Sequence, residues 1–165
     1  PNTPLQIGLA RYLQERFGHI SYERVCSGNG LPNIYAYLKD TDYAPEPPWL
    51  AERLATADDP TPIIIEAALD SQMPCDLCAT TLHTFASILA AEASNLALKV
   101  LATGGVYLGG GIPPHILPVL KAPAFMEAFQ NKGRLAYVLA AIPVHVIVHP
   151  NAGILGAAAC GFAPS

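Results

Sequence analysis

Residues 104–112 read Gly-Gly-Val-Tyr-Leu-Gly-Gly-Gly-Ile, and this stretch decides the fold. A short β-prone run, residues 106–108, lies between two glycine clusters, and Pro113 and Pro114 follow where a helix can begin. Glycine has no Cβ and tolerates positive φ, so a ligand can come close to bare backbone at such a turn. Ligands of parallel α/β sheets commonly bind at the carboxyl end of a strand. The stretch therefore indicates either a ligand-binding turn or a tight turn that binds nothing.

Composition limits the function classes that this chain can belong to. The 165 residues are enough for one domain with a sizeable core. The net charge is −4, only 13% of the residues are charged, and no basic stripe is present, which excludes a nucleic-acid-binding surface. The hydrophobic share of 52% is high for a globular domain. We therefore expect part of the surface to be covered by another domain or subunit.

Neither a membrane span nor a metal site is expected. The longest apolar stretch, residues 77–91, is interrupted by polar side chains and is shorter than the roughly 20 residues that a spanning helix needs. Cys75 and Cys78 have CxxC spacing, but no second CxxC pair exists. The sequence shows no charged region followed by an apolar region, the pattern typical of a secretory signal peptide. We expect a cytoplasmic protein whose cysteines are mostly buried, reduced thiols.

Capping residues and hydrophobic spacing predict a mostly helical chain. Thr3 and Pro4 are typical of a helix start, Ser21 is a candidate cap for a second helix, and the Asp59-Pro60 pair repeats the starting pattern. A long helix over 76–101 has apolar residues on most faces, so it should be central and buried. The predicted helices are 4–17, 22–26, 31–39, 49–56, 61–69, 76–101, 123–130 and 154–160.

Two strands are predicted, at 106–109 and 144–148. A helical crossover separates them, so they should be parallel neighbours. His145 is expected to face inward from the second strand, and the small residues of 154–160 predict a tightly packed last helix. Two strands alone do not make a stable parallel sheet. Either the domain is helical with a small sheet, or further strands lie on a missing part of the polypeptide, which the apolar composition favours.

Seven ordered motifs run along the whole chain: residues 18–25 (Gly-His-Ile-Ser-Tyr-Glu-Arg-Val), 27–35 (Ser-Gly-Asn-Gly-Leu-Pro-Asn-Ile-Tyr), 95–98 (Asn-Leu-Ala-Leu), 104–112, 125–134, 142–144 (Ile-Pro-Val) and 153–157 (Gly-Ile-Leu-Gly-Ala). With these motifs, the chain resembles the carboxy-terminal part of the bacterial glucokinase family, within the actin/hexokinase/Hsp70 ATPase superfamily. That resemblance implies a partial actin-like ATPase (ribonuclease H-like) large domain, an α/β fold that is mostly helical, with a small parallel sheet flanked by helices.

The resemblance also implies what this chain lacks. Family members carry an Asp-Gly-Gly-type phosphate loop, an Asn-Asp pair with the catalytic aspartate, a second phosphate loop and a Glu-Gly-Gly-His sugar motif. None of these occurs in the sequence. Residues 1–165 are thus expected to be a single carboxy-terminal domain fragment that needs the amino-terminal catalytic part. No catalytic residue and no metal ligand is assigned within the chain, and the isolated chain is expected to be inactive.

The resemblance implies two binding regions. Glu23 matches the family glutamate that contacts glucose hydroxyls, while Gly109, Gly110 and Gly111 match the motif against which adenosine lies. Without the resemblance, Glu23 is an ordinary charge in a first helical turn, and the glycines form a packed turn. ATP is the implied co-substrate, with Mg²⁺ held mostly by residues outside the chain. A homodimer is left open. The alternatives are a non-catalytic sugar- or nucleotide-binding module and a kinase for another hexose.

Overall fold

A computed structural model describes residues 1–162 of the chain, and helices dominate it. Its elements, in chain order, are α1 (Pro4–Phe17), α2 (Glu23–Cys26), α3 (Gly30–Asp40), α4 (Pro48–Ala55), α5 (Thr61–Leu69), α6 (Asp76–Val100), β1 (Val106–Leu108), α7 (Ile112–His115), α8 (Leu117–Leu120), α9 (Pro123–Gln130), the 3₁₀ helix η1 (Gly133–Leu135), α10 (Ala136–Ala140), β2 (Val144–Val146) and α11 (Ala152–Gly161). The predicted mostly helical class is confirmed.

The long helix α6 forms the centre of the domain. It packs against α3, α5 and α9, and its side chains Leu77, Leu82 and Phe85 are buried. The prediction of a central buried helix is confirmed, and the helix ends where Leu101 adopts φ 50°. Among the described residues, none of the helices combines the length and the apolar character needed to cross a membrane.

Capping chemistry explains where two of the helices begin. The Thr3 hydroxyl accepts a hydrogen bond from the Gln6 amide at 3.2 Å, so the predicted start of α1 is confirmed. The Asp59 carboxylate accepts from the Thr61 amide at 2.9 Å and prepares the first turn of α5. The predicted cap by Ser21 is wrong, because α2 starts one residue later and no side chain caps it.

The two strands are parallel neighbours, as predicted. Val106 pairs with Val144 and Leu108 with Val146. Both strands are shorter than predicted, because the pairing stops once the Ile147 amide has donated to the Leu108 carbonyl at 2.9 Å. Beyond that bond the first strand turns away into the glycines, so the carboxyl edge of the sheet opens directly onto the glycine-rich turn.

One face of this small sheet is exposed. Tyr107 and His145 lie side by side on it with their ring centroids 5.0 Å apart, and Tyr107 is 64% exposed. The prediction that His145 faces inward is wrong. Alternation along the strands directs Leu108 to the core and the Tyr107–His145 pair to the opposite face. Within residues 1–162 that face stays open to solvent.

The last helix, α11, is also uncovered. It has no buried residue, and Ile154 is 72% exposed. A Cβ added at Gly153 or Gly156 would meet no atom within 4 Å. The prediction of tight packing by these small residues is therefore wrong for the described chain. The open sheet face and α11 thus each expose large hydrophobic side chains, among them Tyr107 and Ile154, and we refer to the two regions together as the uncovered apolar surface. Exposed apolar patches commonly mark interaction sites.

The thiols divide into two groups. Cys75 and Cys78 are buried at the start of α6, as predicted, and the Cys75 sulfur accepts a hydrogen bond from the Cys78 amide at 3.4 Å. Cys26 is half-buried and Cys160 is exposed, so the prediction of buried thiols is wrong for Cys160. All four cysteines are free.

Candidate ligand-binding site

One large cavity lies between the end of α2 and the glycine-rich turn that follows β1. Its volume is about 790 Å³, within the range of small-molecule sites. The turn after α2, the start of α5, the middle of α6 and the turn after β1 form its walls. We refer to this space as the ligand cavity, and to Gly109, Gly110 and Gly111, which line it, as the glycine turn.

The glycine turn presents bare backbone to the ligand cavity. Gly110 has φ +105°, a conformation that residues with a Cβ rarely adopt. A Cβ added at Gly110 or Gly111 would meet no protein atom within 4 Å, and one at Gly109 would touch only Ile147, at 3.5 Å. Tight packing therefore does not explain the glycines at 110 and 111. The space beside this backbone is open for a ligand.

Glu23 lies on the helix whose last residue, Cys26, lines the ligand cavity. It is the first residue of α2, its side chain is exposed, and no hydrogen bond or ion pair engages its carboxylate within residues 1–162. Arg24 and Val25 follow it in the chain. Cys26, Ser27 and Gly28, which come next, line the ligand cavity. The structure thus brings the end of α2 and the glycine turn to one cavity, but Glu23 is not among the residues that line it.

Three ionisable side chains of the cavity wall, Cys26, Asp59 and Glu66, are either neutral or engaged by protein partners. Burial, and then the nearby Glu92 carboxylate, raise the pKa of the Cys26 thiol to about 12, so this side chain is a neutral group at physiological pH. Asp59 is occupied by the Thr61 amide, and the Glu66 carboxylate pairs with Arg53 at 2.8 Å. Apolar side chains of α5 and α6 fill much of the remaining wall.

Sequence reasoning missed the contribution of α5 and α7 to the cavity. Thr61 and Glu66 line it from α5, Asp59 lines it from just before that helix, and His115 lines it from α7. The Asp-Pro-Thr pattern at 59–61 was a visible signal, but it indicates only a helix start. No local sequence signal shows that the start of α5 lies opposite the glycine turn, because these two segments are far apart in sequence.

Comparisons with known proteins show the family to which the chain belongs. A family model described as Glucokinase matches residues 1–163. The glucokinase of Nostoc punctiforme is 38% identical over 172 residues, covering 97% of this chain and 50% of the relative. The glucokinase of Yersinia pestis (strain Pestoides F) is 39% identical over 159 residues, covering 96% of the chain and 46% of the relative. The chain therefore spans about half the length of the curated relatives it matches.

A solved structure shows the same fold. The crystal structure of glucokinase from an Antarctic psychrotroph superimposes with a TM-score of 0.73 at 29% identity, over 97% of this chain and 46% of that one. The domain thus has the actin-like ATPase fold that the resemblance implies. The chain belongs to the glucokinase family and corresponds to a carboxy-terminal part of its relatives, which confirms the resemblance.

Proposed function

We propose that the chain is the carboxy-terminal portion of an ATP-dependent glucokinase, which transfers the γ-phosphoryl group of ATP to the 6-hydroxyl of glucose. The observation that carries the proposal is the single cavity that the end of α2 and the glycine turn both line. Phosphoryl transfer needs the two substrates held in line at one place, and positioning supplies most of the catalysis. A cavity lined by both the end of α2 and the glycine turn supports such a placement.

Glu23 is proposed to bind the sugar. An ionised carboxylate accepts hydrogen bonds from neighbouring hydroxyl groups, and such bonds are stronger than those between neutral groups. The exposed, unpaired carboxylate of Glu23 is available for this role. Sugars that lack the matching hydroxyls would leave the carboxylate without partners and would bind less well.

The glycine turn is proposed to bind the adenosine part of ATP. Bare backbone lets a flat ring system lie against the main chain, where a side chain would hold it away. The open space beside Gly110 and Gly111 supports this assignment. The apolar wall of the ligand cavity suits the ring system of a nucleoside.

Mg²⁺ and the catalytic base are proposed to come from the other half of the enzyme. Bound to the phosphates, Mg²⁺ neutralises charge that develops during transfer. The two carboxylates lining the ligand cavity, Asp59 and Glu66, already have protein partners. The described residues contain no group of three or more metal-binding side chains. We assign substrate binding to this chain.

The amino-terminal half of the enzyme is the proposed partner of the uncovered apolar surface. The exposed Tyr107–His145 face and the exposed side chains of α11 lie on the part of the molecule that lacks covering elements among residues 1–162. Two strands are too few for a stable sheet, so further strands from the other half would complete it. We place the assembled enzyme in the cytoplasm, where reducing conditions keep cysteines free.

Titration calorimetry tests the two binding assignments separately. The purified chain is titrated with glucose and with ATP, and the same is done for Glu23→Ala and for Glu52→Gln. Glu52 is an exposed glutamate on α4, away from the ligand cavity, and serves as the matched control. We expect Glu23→Ala to weaken glucose binding and leave ATP binding unchanged. If Glu23→Ala binds both glucose and ATP as tightly as the unsubstituted chain does, the sugar-binding role of Glu23 is contradicted.

Activity measurements separate a kinase portion from a non-catalytic binding module. The chain alone should release no ADP in a glucose-dependent manner, because the catalytic aspartate lies outside it. Mixing it with an amino-terminal half of a glucokinase should restore glucose-dependent ADP release. Binding of both ligands without restored activity would favour the non-catalytic module, and ADP release by the chain alone would contradict the proposal.

A further inference from the structure

Glu23 is carried by a helix that is too short to hold itself in place. α2 has four residues, and the last four carbonyl groups of any α-helix lack partners within the helix. Every carbonyl of α2 therefore needs a partner from elsewhere. The direction of the Glu23 side chain depends on how those partners hold the helix.

Two side chains supply such partners. The Ser27 hydroxyl donates to the Glu23 carbonyl at 2.6 Å, from within the same segment. The Asn33 amide nitrogen donates to the Arg24 carbonyl at 2.9 Å, from the neighbouring helix α3. Only the second bond ties α2 to a long, well-packed element, because α3 buries Leu31, Ile34 and Leu38 in the core (all three are at most 1% exposed).

The packing beneath Asn33 shows why α2 can lie so close to α3. Gly30 is one helical turn before Asn33, on the same face of α3. A Cβ at Gly30 would lie 2.5 Å from the Val25 carbonyl carbon, so only glycine allows this contact. The turn that follows α2 is held by α5: the buried hydroxyl of Thr61, the first residue of α5, donates to the Gly28 carbonyl at 2.8 Å.

We propose that Asn33 is a positioning residue for the sugar end of the ligand cavity, an inference that rests on the proposed role of Glu23. The side-chain amide of Asn33 holds the α2 backbone against α3, so the Glu23 carboxylate is presented in one orientation before the sugar binds. Asn33 does not itself contact the sugar in this proposal. A preorganised side chain binds more tightly because less motion is lost when the ligand binds.

The test compares three variants with the unsubstituted chain. Asn33→Ala removes the donor, and Asn33→Asp keeps the shape but places an acceptor against a carbonyl. Thr41→Ala is the matched control, because the Thr41 hydroxyl makes a similar bond, 2.8 Å to the Tyr37 carbonyl, at the other end of α3. Both Asn33 variants should bind glucose about fivefold more weakly, the usual effect of one lost hydrogen bond, and should bind ATP normally.

Hydrogen exchange adds a readout that does not depend on the sugar. The amides of Val25 and Cys26, which donate to the Tyr22 carbonyl at the start of α2, should exchange faster in the Asn33 variants and normally in Thr41→Ala. This change would show that the bond holds α2, and the glucose titration would show that holding α2 matters for binding.

The outcomes distinguish this inference from the proposed function. If Glu23→Ala loses glucose affinity while both Asn33 variants bind glucose as the unsubstituted chain does, the positioning role is overturned and the proposed function stands. If the unsubstituted chain binds no glucose, the sugar role of Glu23 and the positioning role are both overturned. Equal losses of glucose and ATP affinity in Asn33→Ala would indicate a general disturbance of the fold and would also overturn the inference.

Discussion

Replacing Gly111 by alanine should raise the stability of the domain and lower its affinity for ATP. Gly111 precedes α7 with φ −73° and ψ −34°, a conformation that alanine adopts without strain. An added Cβ would meet no atom within 4 Å. A glycine-to-alanine change at such a position stabilises proteins by about 0.4–1 kcal/mol, because the unfolded chain becomes less flexible.

For a chain of this length, that stabilisation corresponds to a rise in Tm of about 1–4 °C. In the complex, the methyl group would occupy space that the proposal gives to the nucleoside. Overpacking of this kind costs about 1–3 kcal/mol, so ATP should bind roughly fivefold to a hundredfold more weakly. Glucose affinity should not change.

Two other glycines provide comparison variants, Gly104 for ATP binding and Gly110 for stability. Gly104 is also open, has an ordinary φ and lies outside the ligand cavity, so Gly104→Ala should leave ATP affinity unchanged. Gly110→Ala should lower the free energy of unfolding by about 1–3 kcal/mol, because φ +105° strains any residue with a Cβ. A Gly111→Ala variant that is more stable and still binds ATP normally would refute the placement of the nucleoside.

Two further predictions concern titrating groups. Burial raises the pKa of Glu46, but hydrogen bonds from Lys39 and Tyr35 outweigh it and hold the pKa below its usual value. Urea unfolding should therefore show Glu46→Gln less stable than the unsubstituted chain at pH 7, with the difference fading as the pH falls below about 4. Iodoacetamide at pH 8, followed by mass spectrometry, should label the exposed Cys160 and spare Cys26, whose pKa is about 12. Rapid labelling of Cys26 would contradict its burial.

Local signals were enough to predict most of the elements. The Thr3 cap and Pro4 define the start of α1, and α9 lies at Pro123–Gln130, where the sequence predicts it. The parallel pairing of the strands also follows from the sequence, because a helical crossover between two strands leaves few other arrangements. These features depend on residues within one or two turns of each other, or on general rules of chain connection.

Features that depend on distant contacts could not be predicted in this way. His145 lies in the apolar run 144–148, which predicts an inward-facing side chain. The glycines and alanines of α11 are typical of a tightly packed helix. Both are exposed because the described chain offers nothing that covers them. The glycine turn was visible in the sequence, but its position opposite the start of α5 depends on how α5 packs against α6.

The central claim is that one cavity binds the sugar at the end of α2 and the nucleoside at the glycine turn. Backbone amide shifts of the isotopically labelled chain, recorded during titration with glucose and then with ATP, test it most directly. We expect glucose to shift the amides of residues 23–28 and ATP to shift those of residues 109–112. Shifts confined to other surfaces, or no shift of the glycine turn at saturating ATP, would contradict the claim.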